Sequence, residues 1–247
     1  MKKIGIISAL PQELEEIQSQ INNIKPTSYK ITTGLSGIGK VNAAMTAQKF
    51  ISEKKCELLV FSGVAGGLHH DYQIGDIVMP KKAFQHDYGW MGSTFQAYAP
   101  NTLPIVGIGT GKESIFTDLT LHWEKDTFKG IEQHAQAFAK EQFESVPLLS
   151  GTRKPKLYIN ATLATGDQFL SNDLQKKRIF EMGADLVEME GAAVALVAHA
   201  NQVPCLLFRA ISDTAGKESI KDFPAFVSTV SKNNASLLMS LLQNKLL

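Results

Sequence analysis

The stretch CLLFRAISD, Cys205–Asp213, follows Pro204, is largely apolar and ends on the polar pair Ser212 and Asp213. Short apolar segments bounded by turn residues are typical of buried strands. Because ligands of open α/β sheets bind beyond the carboxyl ends of the strands, we expect this polar pair to lie at the mouth of a pocket. On these residues alone, the alternative that Asp213 caps the following helix is equally open.

Apolar strand segments alternate with helical patterns along the whole chain. The other strand candidates are residues 4–10, 29–33, 57–62, 75–80, 156–165 and 184–189. The helix candidates begin near Glu13, Val41, Thr127, Ser171, Gly191 and Pro224. This alternation is typical of a mainly parallel sheet flanked by helices. We therefore predict a single-domain, three-layer α/β/α fold over residues 1–247, with a central twisted sheet that is mixed but mainly parallel.

Composition and charge argue against several classes of protein. The chain has 247 residues, of which 44% are hydrophobic and 20% charged, and its formal net charge is +1. This balance lacks the basic excess of proteins that bind nucleic acid or anionic membranes. No stretch approaches the ~20 apolar residues of a membrane span, and the first residues lack a signal-peptide pattern. We predict a soluble, cytoplasmic protein with no nucleic-acid or membrane partner.

Motifs for metals and nucleoside triphosphates are incomplete. Cys56 and Cys205 lie in apolar segments and are interpreted as buried thiols outside any metal-ligand spacing. The adjacent His69 and His70 are predicted to face apart in a loop. A glycine-rich stretch before Val41 nearly matches a P-loop, but no Ser or Thr follows its lysine to ligate Mg²⁺. These patterns favour neither a metal site nor triphosphate hydrolysis.

Acidic and small residues also fall at other predicted strand ends. Glu13 follows the first strand, and taken alone it is better explained as a surface acid that complements a helix dipole. Glu188 and Glu190 lie in an apolar segment, where buried carboxylates are costly unless they have partners. A helix cap or surface exposure accounts for one of them. The small-residue turn predicted at 63–67 could admit a sugar or base, although a simple tight turn is the plainer interpretation.

Together these segments resemble the 5′-methylthioadenosine/S-adenosylhomocysteine nucleosidases of the purine nucleoside phosphorylase superfamily. The matching segments, in the family's order, are IGIISAL from Ile4 with Glu13, SGIGKVNAA from Ser36, SGVAGGL from Ser62 with GDIV from Gly75, QHD from Gln85, TGDQF from Thr165, VEMEGAA from Val187 and RAISD from Arg209. They span most of the chain and are jointly highly specific. The resemblance implies a nucleoside phosphorylase-like fold, hydrolysis of a 5′-substituted adenosine with release of adenine, no cofactor or metal, and a homodimer.

The resemblance also implies a role for each matching residue. Asp213, supported by Ser212, would protonate N7 of adenine, and Glu13 would orient and deprotonate the attacking water. Glu190 would accept hydrogen bonds from the ribose hydroxyls. The other implied substrate-binding residues are Glu188 and Met189 near the sugar, Phe169 stacked on the purine with the Leu170 backbone at its edge, the small-residue shelf of Val64, Ala65 and Gly66, and Leu10, Ile38 and Phe223 around the 5′ substituent.

Two regions depart from the family pattern. Residues 21–36 are shorter than usual, and residues 88–130 lack the usual acid and aromatic residues and run longer. We therefore expect this second segment, through Trp90 or Phe95, to reshape the end of the pocket that receives the 5′ substituent. The hypothesis that follows is an adenosine-like substrate whose preferred 5′ group differs from methylthio.

Two other functions are compatible with the same fold. A phosphorolytic nucleoside phosphorylase would need arginines near the first strand and just before the small-residue turn predicted at 63–67, and this chain has none at those places. A non-catalytic nucleoside-binding or storage protein would not need Glu13, Glu190 and Asp213, which are all present. The sequence therefore favours hydrolysis over both alternatives.

Overall fold

The computed structural model describes residues 1–23, 28–148 and 151–247. In chain order the elements are β1 Lys3–Ser8, α1 Pro11–Asn23, β2 Lys30–Leu35, α2 Lys40–Ser52, β3 Leu58–Gly67, β4 Ile77–Gln85, β5 Gly89–Met91, β6 Phe95–Ala97, β7 Thr117–Asp118, α3 Lys125–Gln142, β8 Val146–Leu148, β9 Gly151–Arg153, β10 Leu157–Thr165, α4 Asp173–Glu181, β11 Leu186–Glu188, α5 Gly191–Ala200, β12 Cys205–Asp213 and α6 Ser219–Gln243. A short 3₁₀ helix, Pro104–Val106, lies between β6 and β7.

The central sheet has two halves whose strands run in opposite directions. β2, β1, β3 and β12 are parallel neighbours in that order, and β4, β10 and β11 form the second parallel group. β12 pairs antiparallel with β4, and β11 pairs antiparallel with β3, so five strands close into a ring. β7 adds to β4. The predicted mixed, mainly parallel sheet is confirmed, and the ring closure is an addition to it.

Helices cover both faces of the half that contains β1, β3 and β12. Along β3, Leu58 and Val60 pack in one hydrophobic cluster with side chains of α1, α3 and α6. Leu59 and Phe61 point to the opposite face, as strand alternation requires, and pack with α2 and α5. This double coverage explains why β3 and β12 are buried at every position. The predicted three-layer arrangement is confirmed.

Three local predictions were wrong. Residues 63–67, predicted as a turn, continue β3, because β12 pairs with one edge of this segment and β11 with the other. Residues 151–153, which are absent from the predicted strands, form β9, and Arg153 ion-pairs with the buried Asp76 at 2.7 Å. The C-terminal helix begins at Ser219, ahead of the predicted start at Pro224.

Sequence order and spatial order are interleaved in the sheet. β12, the last strand in the chain, lies between β3 and β4, so the two halves of the sequence build one core. We infer from this interleaving that residues 1–247 form a single domain. Within the described ranges, no helix has both the length and the apolar character needed to cross a membrane.

Candidate active site

A cavity of about 330 Å³ opens where the two halves of the sheet meet at the β3–β11 pair. The predicted site residues that line it are Leu10, Glu13, Ile38, Val64, Ala65, Gly66, Ser212 and Asp213 from the half containing β2, β1, β3 and β12, and Phe169, Leu170, Glu188, Met189 and Glu190 from the ends of β10 and β11 in the other half. Phe223 belongs to α6, and its side chain lies outside the described part of the chain. The predicted residues therefore converge, although they come from strands that run in opposite directions.

Glu13 is held in the cavity wall by three backbone N–H groups. Because Pro11 begins α1, Glu13 falls in the first helical turn, and its side chain reaches back to the chain ahead of the helix. Its Oε2 accepts hydrogen bonds from Ala9 N (3.0 Å) and Leu10 N (2.9 Å), and its Oε1 accepts from Val64 N (2.9 Å). Both carboxylate oxygens therefore have fixed directions.

Burial raises the pKa of the Glu13 carboxyl, and the backbone N–H donors and the charge of Arg209 only partly oppose this rise. A carboxylate whose pKa is raised is a stronger base than an exposed glutamate. The geometry and the basicity of Glu13 thus both suit a general base.

Asp213 ends β12 and is almost fully buried. Its Oδ2 accepts a hydrogen bond from Ser212 Oγ (2.9 Å), and its Oδ1 accepts one from Ala215 N (2.7 Å). The Ser212 hydroxyl also lies 3.5 Å from the carbonyl oxygen of Ala65. Because α6 begins only at Ser219, Asp213 does not cap that helix, and the capping alternative is excluded.

The side chain of Glu188 binds the backbone at the start of α5, whose N-cap residue is Glu190. Its carboxylate accepts hydrogen bonds from Gly191 N (2.7 and 2.9 Å) and from the Thr165 hydroxyl, and it ion-pairs with Arg209 Nη2 at 2.8 Å. Arg209 and the Glu188 carboxylate are both buried. Removing either partner would leave an unpaired buried charge and would destabilise the fold. Glu188 lines the cavity, but its oxygens are directed at the protein.

Glu190 also lines the cavity, and its carboxyl makes fewer hydrogen bonds to the protein than that of Glu188. Its Oε1 accepts a hydrogen bond from Gly39 N at 2.8 Å. Burial, followed by the negative charge of Glu188, raises the pKa of Glu190 to about 8. The environment of this carboxyl therefore favours a protonated Glu190 at neutral pH.

This raised pKa predicts how stability depends on pH. Because the folded protein holds the Glu190 proton more tightly than the unfolded chain, the stabilisation is complete below the ordinary pKa of 4.5 and is lost as the pH rises toward about 8. The loss is at most about 1.4 kcal/mol for each pH unit. We expect Glu190→Gln to flatten the pH dependence of the free energy of unfolding between these values, as measured by urea titration. An unchanged slope would contradict the assignment.

The remaining cavity wall is apolar, and its mouth is partly open. Phe169 is 48% exposed and Ile38 is 54% exposed, so both present apolar surface at the rim. Leu170 and Val64 are buried deeper in the wall. Among the described residues that line the cavity there are four acids and no arginine, lysine or histidine. The site thus suits a neutral, partly aromatic ligand with hydroxyl groups rather than an anion.

The expectation that residues 88–130 reshape the cavity is not met within one chain. None of the residues that line the cavity belongs to this segment. The segment begins with the β5–β6 hairpin. Trp90 lies on that hairpin at the surface, and Phe95 packs against the guanidinium of Arg178, 5.2 Å from the ring centre.

Several residues that shape the site carry no clear sign in the sequence. Ala9 and Ala215 donate the backbone hydrogen bonds that orient Glu13 and Asp213, and any residue except proline could do so. Gln168 and Val187 line the cavity beside predicted residues. Gly39 could have been suspected, because it stands directly before a helix, where N–H groups attract anions.

His69 and His70 do not face apart, contrary to the prediction. Their rings stack with centroids 4.4 Å apart. With Asp71 they form the one group in the described part whose ligand atoms could together hold a metal ion. His69 Nδ1 already accepts a hydrogen bond from Asp71 N (3.2 Å), and the group is outside the cavity wall. We assign no metal to it.

Comparison with known proteins identifies the family. The chain matches the family model of the phosphorylase superfamily over residues 3–243. It is 31% identical to the 5′-methylthioadenosine/S-adenosylhomocysteine nucleosidase of Mycobacterium tuberculosis, over 97% of this chain and 96% of that protein. It is 30% identical to the aminodeoxyfutalosine nucleosidase of Campylobacter jejuni, over 98% of each.

Solved structures lead to the same conclusion. The Helicobacter pylori 5′-methylthioadenosine/S-adenosylhomocysteine nucleosidase with butyl-thio-DADMe-Immucillin-A is similar with a TM-score of 0.76 at 26% identity, covering 99% of each chain. The futalosine hydrolase of the same organism is similar with a TM-score of 0.75 at 27% identity, covering 98% of each chain. The chain therefore belongs to the phosphorylase superfamily and, within it, to the 5′-methylthioadenosine/S-adenosylhomocysteine nucleosidase family.

Proposed function

We propose that this N-glycosyl hydrolase cleaves the bond between adenine and the ribose of a 5′-substituted adenosine, with Asp213 as the acid and Glu13 as the base. The observation that carries the proposal is that these two acids, each fixed by backbone N–H groups, face one cavity whose described wall contains no cation. Enzymes that cleave glycosidic bonds commonly use two carboxyl groups in this way.

The first step transfers a proton from Asp213 to N7 of the purine. The bond between C1′ and N9 then breaks, and its electron pair stays on the base, which leaves as neutral adenine. Ser212 can hydrogen-bond to Asp213 in both protonation states. Its hydroxyl can accept from the protonated acid while it donates to the Ala65 carbonyl, and it can donate to the carboxylate once the proton has been transferred. The ribosyl group develops oxocarbenium character as the bond stretches.

The second step adds water to C1′. Glu13 would hold the water through its fixed carboxylate and remove a proton as the new C–O bond forms. Preorganisation by three N–H groups means that the carboxylate does not have to reorient in the transition state. The products are adenine and the free 5′-substituted ribose, and proton exchange with solvent restores both acids.

The rest of the cavity would bind the substrate. Phe169 offers an aromatic face for the purine at the rim, and the Leu170 backbone can read the purine edge. Glu190 would accept hydrogen bonds from the ribose hydroxyls, and Met189 would pack against the sugar. The apolar Ile38 and Leu10, with Phe223 proposed beside them, would surround the 5′ substituent.

Water is a better candidate for the nucleophile than phosphate. Arg209 is the arginine whose charge acts on Glu13 and Glu190, but its Nη1 donates to the carbonyl oxygens of Phe61 and Phe208, each at 3.0 Å, and its Nη2 is bound to Glu188. Both ends of the guanidinium are therefore occupied. A phosphate ion beside the sugar would meet several carboxyl groups and no accessible cation, which is electrostatically unfavourable.

The proposal is tested by adenine release from a panel of 5′-substituted adenosines with and without inorganic phosphate. We expect rates that differ by less than about twofold between the two conditions, and a free sugar as product, because phosphate has no binding cation. Formation of a sugar 1-phosphate would instead identify a phosphorylase. Tight binding of nucleosides with no adenine released would identify the non-catalytic alternative.

The identity of the 5′ group is a separate proposal. By their names, the relatives act on 5′-methylthioadenosine and S-adenosylhomocysteine in one case and on aminodeoxyfutalosine in the other, and they are almost equally identical to this chain. We propose that the preferred group differs from methylthio, because residues 88–130 depart from the pattern of the family that this chain resembles, although they do not line the cavity within one chain. The panel therefore includes 5′-methylthioadenosine, S-adenosylhomocysteine, aminodeoxyfutalosine, 5′-deoxyadenosine and adenosine. Equal kcat/KM for all five would contradict this proposal.

We also propose a homodimer. Leu35, Val41 and Met45 form an exposed apolar face on and before α2, next to Ile38 at the cavity rim. Val41 and Met45 are four residues apart on the helix, so they share one side of it. Apolar patches of this kind are typical of interfaces, and the mass in solution tests the idea.

A cytoplasmic location is likewise proposed. Cys56 and Cys205 are both buried and free, and burial raises the pKa of both thiols. Free, unreactive thiols are common in reducing compartments, where disulfides are rare. Fractionation of the producing cells would test this.

A further inference from the structure

The first turn of α2 binds two carboxylates that come from different strands. Gly39 N donates to Glu190 Oε1 at 2.8 Å, and the next amide, Lys40 N, donates to Asp167 Oδ1 at 2.8 Å. Glu190 follows β11, and Asp167 follows β10 in the loop that carries Phe169. One helix terminus thus contacts both the carboxyl proposed for the ribose and the loop proposed for the base.

The side chain of Lys40 ties this arrangement to a third segment. Its Nζ lies 2.5 Å from Asp87 Oδ1 and 3.7 Å from Asp167 Oδ2, and Asp87 Oδ2 accepts a hydrogen bond from Asp167 N at 2.9 Å. The side chains of Lys40 and Asp87 are only 18% and 19% exposed. Solvent therefore screens this ion pair less than it screens an ion pair at the surface. The hydrogen bond from Asp167 N to Asp87 also fixes the position of the Asp87 carboxylate.

Steric constraints hold the same loops from behind. Gly39 has a φ of +94°, and a Cβ at this position would lie 3.1 Å from Asp167 Oδ1. Gly166 lies directly against the ring of the fully buried His86, so that a Cβ there would overlap the ring. The backbone on both sides of the ion pair consequently has little room to move.

We propose that Lys40, Asp87 and Asp167 form a clamp that sets the distance between the ribose-binding carboxyl and the base-stacking ring. None of the three lines the cavity in the described structure. They are positioning residues that act through Glu190 and Phe169, and this inference rests on the proposed function of those two residues. A ligand that spans both groups depends on the clamp, whereas free adenine contacts the base loop alone.

Lys40→Met removes the charge and keeps the length of the side chain. We expect KM for the preferred nucleoside to rise about tenfold, as for the loss of a charge-assisted hydrogen bond, with kcat changed by less than about threefold. The inhibition constant of free adenine should change by less than about threefold, and Lys40→Arg should restore most of the affinity. The matched control is Lys232→Met, which breaks an ion pair of similar length, 2.6 Å, at the surface.

Equal increases in KM and in the inhibition constant of adenine in Lys40→Met would indicate a general structural defect and would overturn the clamp. An unchanged KM in this variant would also overturn it. Asp87→Asn, which preserves shape, provides the second variant. Amide hydrogen exchange at Gly39, Lys40 and Asp167 measures the integrity of the clamp independently of enzyme activity. We expect at least about tenfold faster exchange in both variants. Unchanged exchange would refute the clamp. Absence of adenine release by the wild type would refute the proposed function, and exchange would still decide the clamp.

Discussion

Replacing Asp213 by Asn is expected to lower kcat for adenine release by about 10³-fold and to leave nucleoside affinity within about threefold of wild type. An amide has the shape of the acid but no proton that it can give to N7. Without that transfer the base would have to leave as an anion. The amide oxygen can still accept from Ala215 N, and the amide NH₂ can donate to the Ser212 hydroxyl, which can turn its own proton toward the Ala65 carbonyl, so the fold should persist.

The measurement combines single-turnover adenine release with calorimetric binding of the same nucleoside. Ser212→Ala is the graded control, because it removes one hydrogen bond and keeps the acid, and we expect a loss of about tenfold. Retention of more than about a tenth of wild-type kcat by Asp213→Asn would show that another group supplies the proton.

Strand patterns alone pointed to few of the proposed site residues, and the full set came from the family resemblance. Asp213 stands out at the end of a fully buried strand, and the structure places it in the cavity. Glu13 is less conspicuous, since an acid in the first turn of a helix is ordinary. Its place in the cavity depends on three backbone N–H groups, which no side-chain pattern reveals.

The closure of the sheet could not be predicted in the same way. Strand patterns indicate which residues are buried, but they do not indicate that β11 returns antiparallel to β3 and pairs Val187 with Gly66. The small residues at 63–67 therefore suggested a turn. In the structure a small residue is needed inside the strand, because a Cβ on Gly66 would lie 2.9 Å from Asp213 Oδ1. Close approach of two strands and an acid, rather than a turn, explains this glycine.

The roles of Glu188 and Glu190 illustrate the same limit. Both stand in one apolar segment, and the pattern only indicates that one of them is accounted for structurally. Three-dimensional contacts separate them, because Glu188 binds Gly191 N and the buried Arg209, while Glu190 reaches across to Gly39. Which glutamate meets the substrate thus depends on partners that are distant in sequence.

Replacing Glu13 by Gln is expected to lower kcat by about 10³-fold, with the free energy of unfolding reduced by about 1–2 kcal/mol. The carboxylate accepts N–H donors at both oxygens, whereas an amide must turn its NH₂ group toward at least one of these donors. The change therefore removes the base and leaves a buried donor unsatisfied. Adenine release and urea unfolding measure the two effects.

A second variant tests the same base without changing it. A Cβ on Gly63 would lie 2.6 Å from Glu13 Oε1, so Gly63→Ala must push the carboxylate from its place, and we expect kcat to fall about 10²-fold. The control on the same strand is Gly67→Ala, whose added Cβ would lie no closer than 3.2 Å to its neighbour, Tyr72. If Gly63→Ala and Gly67→Ala lose activity equally, strain in β3 rather than displacement of Glu13 is responsible, and the assignment of Glu13 as the base loses this support.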